Sequence, residues 1–144
     1  MIKKIVQIAR GIEADDRVRL SWFDRQKPNL SAIGEGGVSF VANTAKFDHL
    51  HEDDILIAED GYTIAVTITE DEIVEVHFTD ALDFAKSAYE IGNRHQPICI
   101  ESMKIIVLND SALSDIFVEL EQNPRITVMR KNGYFTPNVH RHSH

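Results

Sequence analysis

A chain of 144 residues with 43% hydrophobic side chains is long enough for one ordinary domain or two small ones. Its 15 Lys and Arg against 23 Asp and Glu give a formal net charge of −8, which disfavours nucleic acid as a partner because an acidic surface repels phosphates. The single cysteine excludes an intrachain disulfide, and no apolar run has the length of a signal peptide core or a membrane span, so we expect a cytoplasmic protein without a membrane partner.

The first half of the chain has the pattern of short strands. Runs rich in β-branched and aromatic residues alternate with turn residues, and the predicted strands cover 5–8, 17–23, 38–42, 55–57 and 64–68. Asp60-Gly61 between the last two runs predicts a hairpin, because glycine accepts a positive φ. The glycine-rich turn at 34–37 lacks the lysine and following hydroxyl of a phosphate loop, so it does not indicate nucleotide binding. We therefore predict a small all-β domain over residues 1–70.

The second half alternates strands with helices. We predict strands at 73–78, 98–100, 105–108 and 125–129, and helices at 80–91 and from the capping residue Asp110 or Ser111 onward. Gly92 and Asn93 are expected to end the first helix. The order β-α-β-β-α-β is typical of a ferredoxin-like domain, with two helices on one face of an antiparallel sheet, here over residues 71–132. The predicted fold class is α+β.

The strand at 73–78 shows a clean alternation from its second residue on. Val74, Val76 and Phe78 share one face, which we expect to be the core face. Glu75 and His77 share the other, polar face. The expected role of His77 is therefore a solvated or Glu75-paired imidazole rather than a metal ligand.

Histidines dominate the end of the chain. Residues 133–144 show no apolar periodicity and are expected to form a flexible tail, in which His140, His142 and His144 occupy every second position. Three imidazoles in a flexible segment can approach one ion together, and neutral imidazole suits nickel, copper and zinc. A terminal histidine cluster can equally be an expression remnant or a solubilising segment, although this alternating sequence is not a homopolymeric tag.

The remaining histidines and the cysteine favour structural roles on spacing alone. His95 follows the first predicted helix, where an imidazolium would interact with free carbonyls. His49 and His51 lie in an acidic loop that is expected to be solvated, although its carboxylates could join them around a metal. Cys99 lies in an apolar strand and is expected to be an inert core thiol.

The sequence contains no recognisable catalytic motif. It lacks a Gly-x-Ser-x-Gly elbow, a His-Glu-x-x-His pair and a cysteine pair. We therefore predict that the protein is not an enzyme. A hydrolase using histidine-bound zinc is a weaker alternative, because it needs a general base for which the sequence offers no clear candidate.

The most specific pattern is the block Gly-Asn-Arg-His at 92–95, which follows a predicted helix and precedes a strand. It resembles the signature of the urease accessory protein UreE family in full. The order of elements from the Asp60-Gly61 hairpin to the helix cap near Asp110 is also similar, so a more diffuse likeness covers nearly the whole chain. Some members carry further histidines where this chain has Asn-Asp-Ser at 109–111, which argues against peripheral metal sites there. The short tail argues for delivery of few ions rather than storage of many.

The resemblance implies two domains and a metal cargo. The first domain would be similar to the peptide-binding domain of J-domain co-chaperones, and the second would be a ferredoxin-like metal-binding domain. Members of the family are homodimers in which the signature histidines of both subunits meet, so the resemblance implies that His95 is the main Ni(II) ligand. It also implies that His140, His142 and His144 are mobile extra ligands. Zn(II) and Cu(II) would compete for the same imidazoles.

The implied function is delivery of nickel to the urease apoprotein, together with the accessory GTPase of urease, by ligand exchange. At a two-fold interface each residue near the axis meets its own copy, so one histidine per chain supplies two ligands. An alternative is a peptide-binding or assembly module in which metal serves only dimerisation. The strand-rich first half motivates this alternative, because an open sheet edge can accept a peptide strand.

Overall fold

The computed structural model describes residues 1–47 and 49–139, and the chain divides into two compact units between Thr69 and Glu70. This junction adjoins the domain boundary that the acidic stretch near residue 70 indicates in the sequence. Each unit has its own sheet and its own hydrophobic core.

The N-terminal unit is built on a mixed six-stranded sheet. Its strands are β1 (Lys3–Ala9), β2 (Asp16–Leu20), β3 (Asn29–Ile33), β4 (Ser39–Asn43), β5 (Ile55–Ala58) and β6 (Thr63–Ile68). They lie in the order β2-β6-β5-β1-β4-β3, with β1 parallel to β4 and β2 parallel to β6. Among the described residues, the outermost strands β2 and β3 each have a neighbouring strand on one side only. The hairpin predicted at residues 60–61 is confirmed, because β5 and β6 pair antiparallel around Gly61, whose φ is 90°.

Two elements of this unit differ from the prediction. The strand expected over 17–23 ends at Leu20, because Ser21 caps a short helix, α1 (Trp22–Arg25). The Ser21 hydroxyl accepts from the Asp24 N–H, while the Asp24 carboxylate accepts from the Ser21 N–H. The sequence prediction lacks β3, since Leu30 is the only fully buried residue in that strand and its polar neighbours hide the pattern.

The C-terminal unit follows the predicted order β-α-β-β-α-β. Its elements are β7 (Asp71–Phe78), α2 (Ala81–Asn93), β8 (Cys99–Glu101), β9 (Lys104–Leu108), α3 (Ser114–Glu121) and β10 (Ile126–Gly133). The four strands form an antiparallel sheet in the order β10-β7-β9-β8. Strand β7 therefore lies inside the sheet, and β8 is an outer strand.

Both helices pack on one face of this sheet. The predicted core positions of β7 are confirmed, because Val74, Val76 and Phe78 are buried together with residues of both helices. Asp80 caps α2 by accepting from the Asp83 N–H, and the carboxylate of Asp110 caps a 3-10 turn that leads into α3. No helix in residues 1–47 and 49–139 is long and apolar enough to cross a membrane.

The segment expected to be loosely ordered from Gly133 onward is partly incorporated into this unit. The last strand runs to Gly133, and Phe135 is buried at 3% exposure. Val139 forms a β-bridge with Ile98. The prediction of a flexible tail is therefore wrong for residues 133–139, because one aromatic side chain and backbone pairing hold them. Residues 140–144, with the three tail histidines, lie outside the described residues.

Candidate metal site

The signature block lies at the C-terminal end of α2. The helix runs through Asn93, and the Arg94 N–H donates to the carbonyls of Gly92 and Ile91. The His95 N–H donates to the Gly92 carbonyl at 3.0 Å. The helix thus extends two residues beyond the predicted 80–91, with Gly92 in its last turn rather than after it.

His95 occupies the position after the helix cap, with φ of 57°. Helices often end with one residue in this left-handed region, and glycine is the usual choice because a Cβ is strained there. A histidine in this conformation carries backbone strain that a glycine at the same position would not. The sequence predicted that Gly92 and Asn93 end the helix. In the structure, the residue with the left-handed conformation after the helix end is His95.

The His95 side chain is exposed and, within the described part of the chain, makes no hydrogen bond or ion pair. The structural role expected from spacing, a partner for free helix-end carbonyls, is therefore filled by the backbone N–H of His95 rather than by its ring. An exposed imidazole without a partner is available to an external ligand. A neutral imidazole nitrogen suits divalent nickel, copper or zinc.

Arg94, the residue before His95, binds to the start of α3. Its guanidinium nitrogens lie 3.0 Å and 2.6 Å from the two Asp115 carboxylate oxygens, and Nη1 donates to the Ala112 carbonyl at 2.9 Å. Arg94 holds the pKa of Asp115 below its ordinary value of 3.8, because the bidentate contact favours the carboxylate. Sequence reasoning missed Asp115, which in the sequence is simply an acid in the first turn of a helix.

Residues 138–139 are bound to the chain just after the same segment. Ile98, three residues after His95, pairs with Val139 through two backbone hydrogen bonds of 2.9 Å and 3.0 Å. The Asn138 side chain bonds to both the N–H and the carbonyl of Ile100, each at 2.8 Å. Val139 is the residue immediately before His140. Asn138 has no signal in the sequence, because its partners lie 38 residues earlier.

The loop that carries His49 and His51 is organised by its carboxylates, and the imidazoles are exposed. Asp54 is buried and accepts from the His51 N–H at 2.7 Å and from Arg10 Nε at 2.8 Å. Glu52 accepts from the Ile68 N–H at 2.6 Å. Asp54 and Glu52, two of the carboxylates that could have joined these histidines around a metal, thus have structural partners instead.

Glu75, on the polar face of β7, is buried, with only 7% of its surface exposed. The Lys131 ammonium contacts one carboxylate oxygen, and Lys104 Nζ and His77 Nε2 lie 3.9 Å and 3.3 Å from the other. Lys131 foremost, with His77 and Lys104, holds the pKa of Glu75 below its ordinary value of 4.5 against the opposing effect of burial. The expected pairing of His77 with Glu75 is confirmed.

Cys99 lies on β8 and is half-buried, so the expectation of a core thiol is wrong. Its Sγ lies 3.7 Å from Glu101 Oε1. Burial, followed by the Glu101 carboxylate, raises the pKa of the Cys99 thiol above its ordinary value. Because the thiolate is the reactive and metal-binding form, a raised pKa disfavours both reaction and metal binding at this cysteine.

Within residues 1–47 and 49–139, no three His, Cys, Asp or Glu side chains come together as a metal-binding group. At the end of α2, the described part of one chain offers one exposed imidazole, that of His95. The tail histidines His140, His142 and His144, predicted as further ligands, lie outside the described residues.

Comparison with known proteins gives matches over both units. Residues 71–144 match the family described as UreE urease accessory protein, C-terminal domain. The chain is 53% identical over 142 residues to the urease accessory protein UreE of Aliarcobacter butzleri, covering 99% of this chain and 95% of that protein. It is 29% identical over 131 residues to the urease accessory protein UreE of Burkholderia mallei strain SAVP1, covering 87% of this chain and 63% of that protein. The corresponding Burkholderia thailandensis protein is 28% identical, and the match covers 60% of its length.

Proposed function

Since the chain belongs to the UreE family of urease accessory proteins, and is thus an accessory protein of urease and not itself an enzyme, we propose that it carries Ni(II) to the urease apoprotein. The nickel would be delivered while the urease active site is assembled, together with the accessory GTPase of urease, in the cytoplasm. The observation that carries this proposal is the exposed, unpartnered imidazole of His95 at a strained position.

The metal site we propose is shared by two chains. One exposed imidazole is too few ligands for a stable nickel site, but a two-fold axis near the end of α2 brings a second copy of His95 to the same ion. His140, His142 and His144 follow closely in sequence after the bridge between Ile98 and Val139, and they are the proposed additional ligands. The remaining positions of a tetragonal or octahedral nickel site would be filled by water.

Such a site suits a carrier. Two histidines on fixed backbone define where the ion binds, while ligands on a terminal segment can be exchanged one at a time for those of an acceptor. Transfer is then ligand exchange, with no covalent step and no change in the oxidation state of nickel. Zn(II) and Cu(II) would bind the same imidazoles, since geometry rather than donor type separates these ions.

The topology supports the assignment of the C-terminal unit as a ferredoxin-like metal-binding domain. The sheet has the spatial order β10-β7-β9-β8. Strands β7 and β9, the first and third of this unit along the chain, are the central pair, and β10, the last along the chain, is at one edge. The two helices lie on one face, and the pair of Arg94 and Asp115 joins the end of α2 to the start of α3. This arrangement leaves His95 on the surface, as an interface ligand requires.

A second candidate function is a peptide-binding or assembly module in which metal serves only dimerisation. It is favoured by the N-terminal sheet, whose outer strand β3 carries the exposed Ile33. An extended peptide could add to that edge through backbone hydrogen bonds. In this alternative the N-terminal unit, rather than His95, would determine partner binding.

The proposal is tested by calorimetric titration of the purified protein with Ni(II), alongside His95→Asn and His49→Asn. Asparagine tolerates the left-handed conformation, so His95→Asn removes the imidazole with little disturbance of the backbone. We expect one tight nickel per dimer in the wild type and in His49→Asn, and loss of this phase in His95→Asn. Sedimentation with and without nickel measures the dimer in the same samples. Equal nickel binding by all three proteins would reject His95 as the ligand and favour the peptide-binding alternative.

A further inference from the structure

Helix α2 carries apolar side chains on two of its sides. The first side packs into the core of the C-terminal unit and comprises Phe84, Ala88 and Ile91. The second side lies at the surface, and we call it the α2 stripe; it comprises Leu82, Ala85, Tyr89 and Gly92. Leu82 and Tyr89 are 61% and 72% exposed. Because a helix that is apolar around much of its circumference is normally covered, the α2 stripe has the character of an interface.

The spacing of the α2 stripe is that of a helix pair. Its members recur at i, i+3, i+7 and i+10, the pattern of the seam between two coiled helices. A Cβ added to Gly92 meets nothing within 4 Å, so the described part of the chain does not require a glycine there, although glycine destabilises a helix. A glycine on a helix surface allows another backbone to approach closely. Gly92 therefore supports an occupant from outside this chain.

The occupant that fits the α2 stripe is a second copy of this chain. No member of the stripe is charged, so two copies can meet there although each chain carries a net charge of −8. His95 follows Gly92 by three residues, and the proposed nickel site is incomplete without a second copy of His95. The stripe is thus continuous with a site that needs a two-fold axis.

The shared ion decides how the two copies of α2 are oriented. An antiparallel pair centred on the stripe, level with Ser87, would place the two His95 backbones about 24 Å apart, since each residue advances a helix by about 1.5 Å. One ion cannot join imidazoles that start so far apart. In a parallel pair around a two-fold axis, each residue of the stripe lies beside its own copy, and both copies of His95 lie at the same end.

We propose that the α2 stripe is the docking surface for a second copy of this chain, with the two α2 helices side by side and parallel, so that both His95 imidazoles reach one ion. This inference rests on the proposed function. The stripe extends over about 15 Å of helix, which is short for an interface that must bury about 1,000 Å² to be stable by itself. The shared ion should therefore strengthen the dimer, because a ligand that binds only the dimer favours it.

Cysteine cross-linking tests the parallel orientation. In a Cys99→Ser background, Ala85→Cys places a thiol beside its own copy in a parallel pair, whereas an antiparallel pair places residue 85 opposite Tyr89. Lys86→Cys is the matched control, because the next residue points about 100° around the helix. Both proteins are oxidised without nickel, at a concentration at which sedimentation shows the dimer. We expect the covalent dimer from Ala85→Cys and little from Lys86→Cys, since a disulfide needs Cα atoms within about 7 Å.

A charge on the α2 stripe tests the surface itself. Tyr89→Glu brings two like charges together in a parallel pair and should raise the dimer dissociation constant at least about tenfold, measured by sedimentation. Tyr134→Glu is the matched control, because Tyr134 is a similarly exposed tyrosine outside α2, at 68%. Added nickel should lower the dissociation constant of the wild type.

Three results would overturn the proposed interface: equal cross-linking of Ala85→Cys and Lys86→Cys, an unchanged dimer in Tyr89→Glu, or a chain that stays monomeric with and without nickel. A covalent dimer that forms only when Ala85→Cys is mixed with Tyr89→Cys would show an antiparallel pair and overturn it as well. Failure of the proposed function is distinguishable, because the cross-linking is done without metal. If Ala85→Cys cross-links while His95→Asn binds nickel normally, the interface stands and the nickel site fails.

Discussion

Arg94 and Asp115 form a two-point ion pair that joins the end of α2 to the start of α3. Arg94 immediately precedes His95, so this pair fixes the backbone on which the proposed nickel ligand is carried. The pair is on the surface, with 41% and 65% of the two side chains exposed, and its contribution to global stability should be small. Its expected importance is local, in limiting the directions in which the His95 imidazole can point.

Asp115→Ala should therefore weaken nickel binding while leaving the fold intact. We expect a loss of about three- to tenfold, below the effect of removing a direct hydrogen-bond partner of a metal ligand. Because Arg94 lowers the pKa of Asp115, acidification should break the pair only as pH falls through that lowered value. Calorimetry at neutral pH is the measurement, with Glu119→Ala on the exposed side of α3 as control. A loss of equal size in Glu119→Ala would show a general charge effect instead.

Substitutions of His95 should separate metal binding from backbone strain. His95→Gly relieves the left-handed conformation and should raise the free energy of unfolding by up to about 1 kcal/mol. His95→Val places a β-branched side chain at the same φ and should lower it by about 1–2 kcal/mol. Both variants should lose tight nickel binding. Thermal unfolding without metal measures the difference, and equal stabilities for the two variants would contradict the strained geometry.

Two glycines should respond oppositely to the same substitution. A Cβ on Gly92, inside the last turn of α2, meets nothing within 4 Å, so Gly92→Ala should stabilise the helix by about 0.5–1 kcal/mol. A Cβ on Gly133 would lie 2.8 Å from Cδ1 of the buried Ile73, so Gly133→Ala should cost about 1–2 kcal/mol.

Chemical denaturation of the two alanine variants measures these values. Sedimentation of Gly92→Ala adds a second result, since this glycine adjoins the proposed interface. A stable Gly92→Ala monomer that no longer dimerises would show that the partner chain approaches too closely for a methyl group. Destabilisation of the monomer by Gly92→Ala would contradict the helical position of this residue.

The buried Glu75 should make stability depend on pH. Its pKa is lowered in the folded state, chiefly by Lys131, so its stabilising contribution is present above the unfolded value of about 4.5 and is lost as pH falls through the lower folded value. Lys131→Met removes the largest cause and should destabilise the protein by about 1–2 kcal/mol at neutral pH, since a half-exposed partner contributes less than a buried one.

This penalty should shrink as pH falls below 4.5, because the wild-type protein then loses the stabilising contribution that Lys131 makes through Glu75. Urea unfolding at pH 7 and pH 4 measures it. Lys86→Met, on the exposed surface of α2, is the control and should show little change at either pH. A penalty of the same size at both pH values would mean that Lys131 contributes by packing rather than by its charge.

Local patterns predicted the elements whose side chains repeat with a clear period. The alternation of β7, the hairpin at Gly61 and the order of elements in the C-terminal unit follow from the periodicity of apolar residues and from turn chemistry. The strand β3 was missed because it has one buried leucine among five residues. The helix α1 was missed because a capping serine alone is a weak signal for so short a helix. The resemblance carried by residues 92–95 is confirmed by the family match.

What the sequence by itself determined is the family and the division of the chain into two parts, because these depend on residue types and on spacing along the chain; it also supplied the histidines of the proposed metal site. The tertiary structure alone decided the burial of Glu75, the Arg94–Asp115 pair and the attachment of Asn138 to Ile100. Each joins residues far apart in sequence, and no local pattern encodes which distant partner satisfies a charge or a backbone group. The left-handed conformation of His95 was also absent from the sequence prediction, which placed the end of the helix at Gly92 and Asn93.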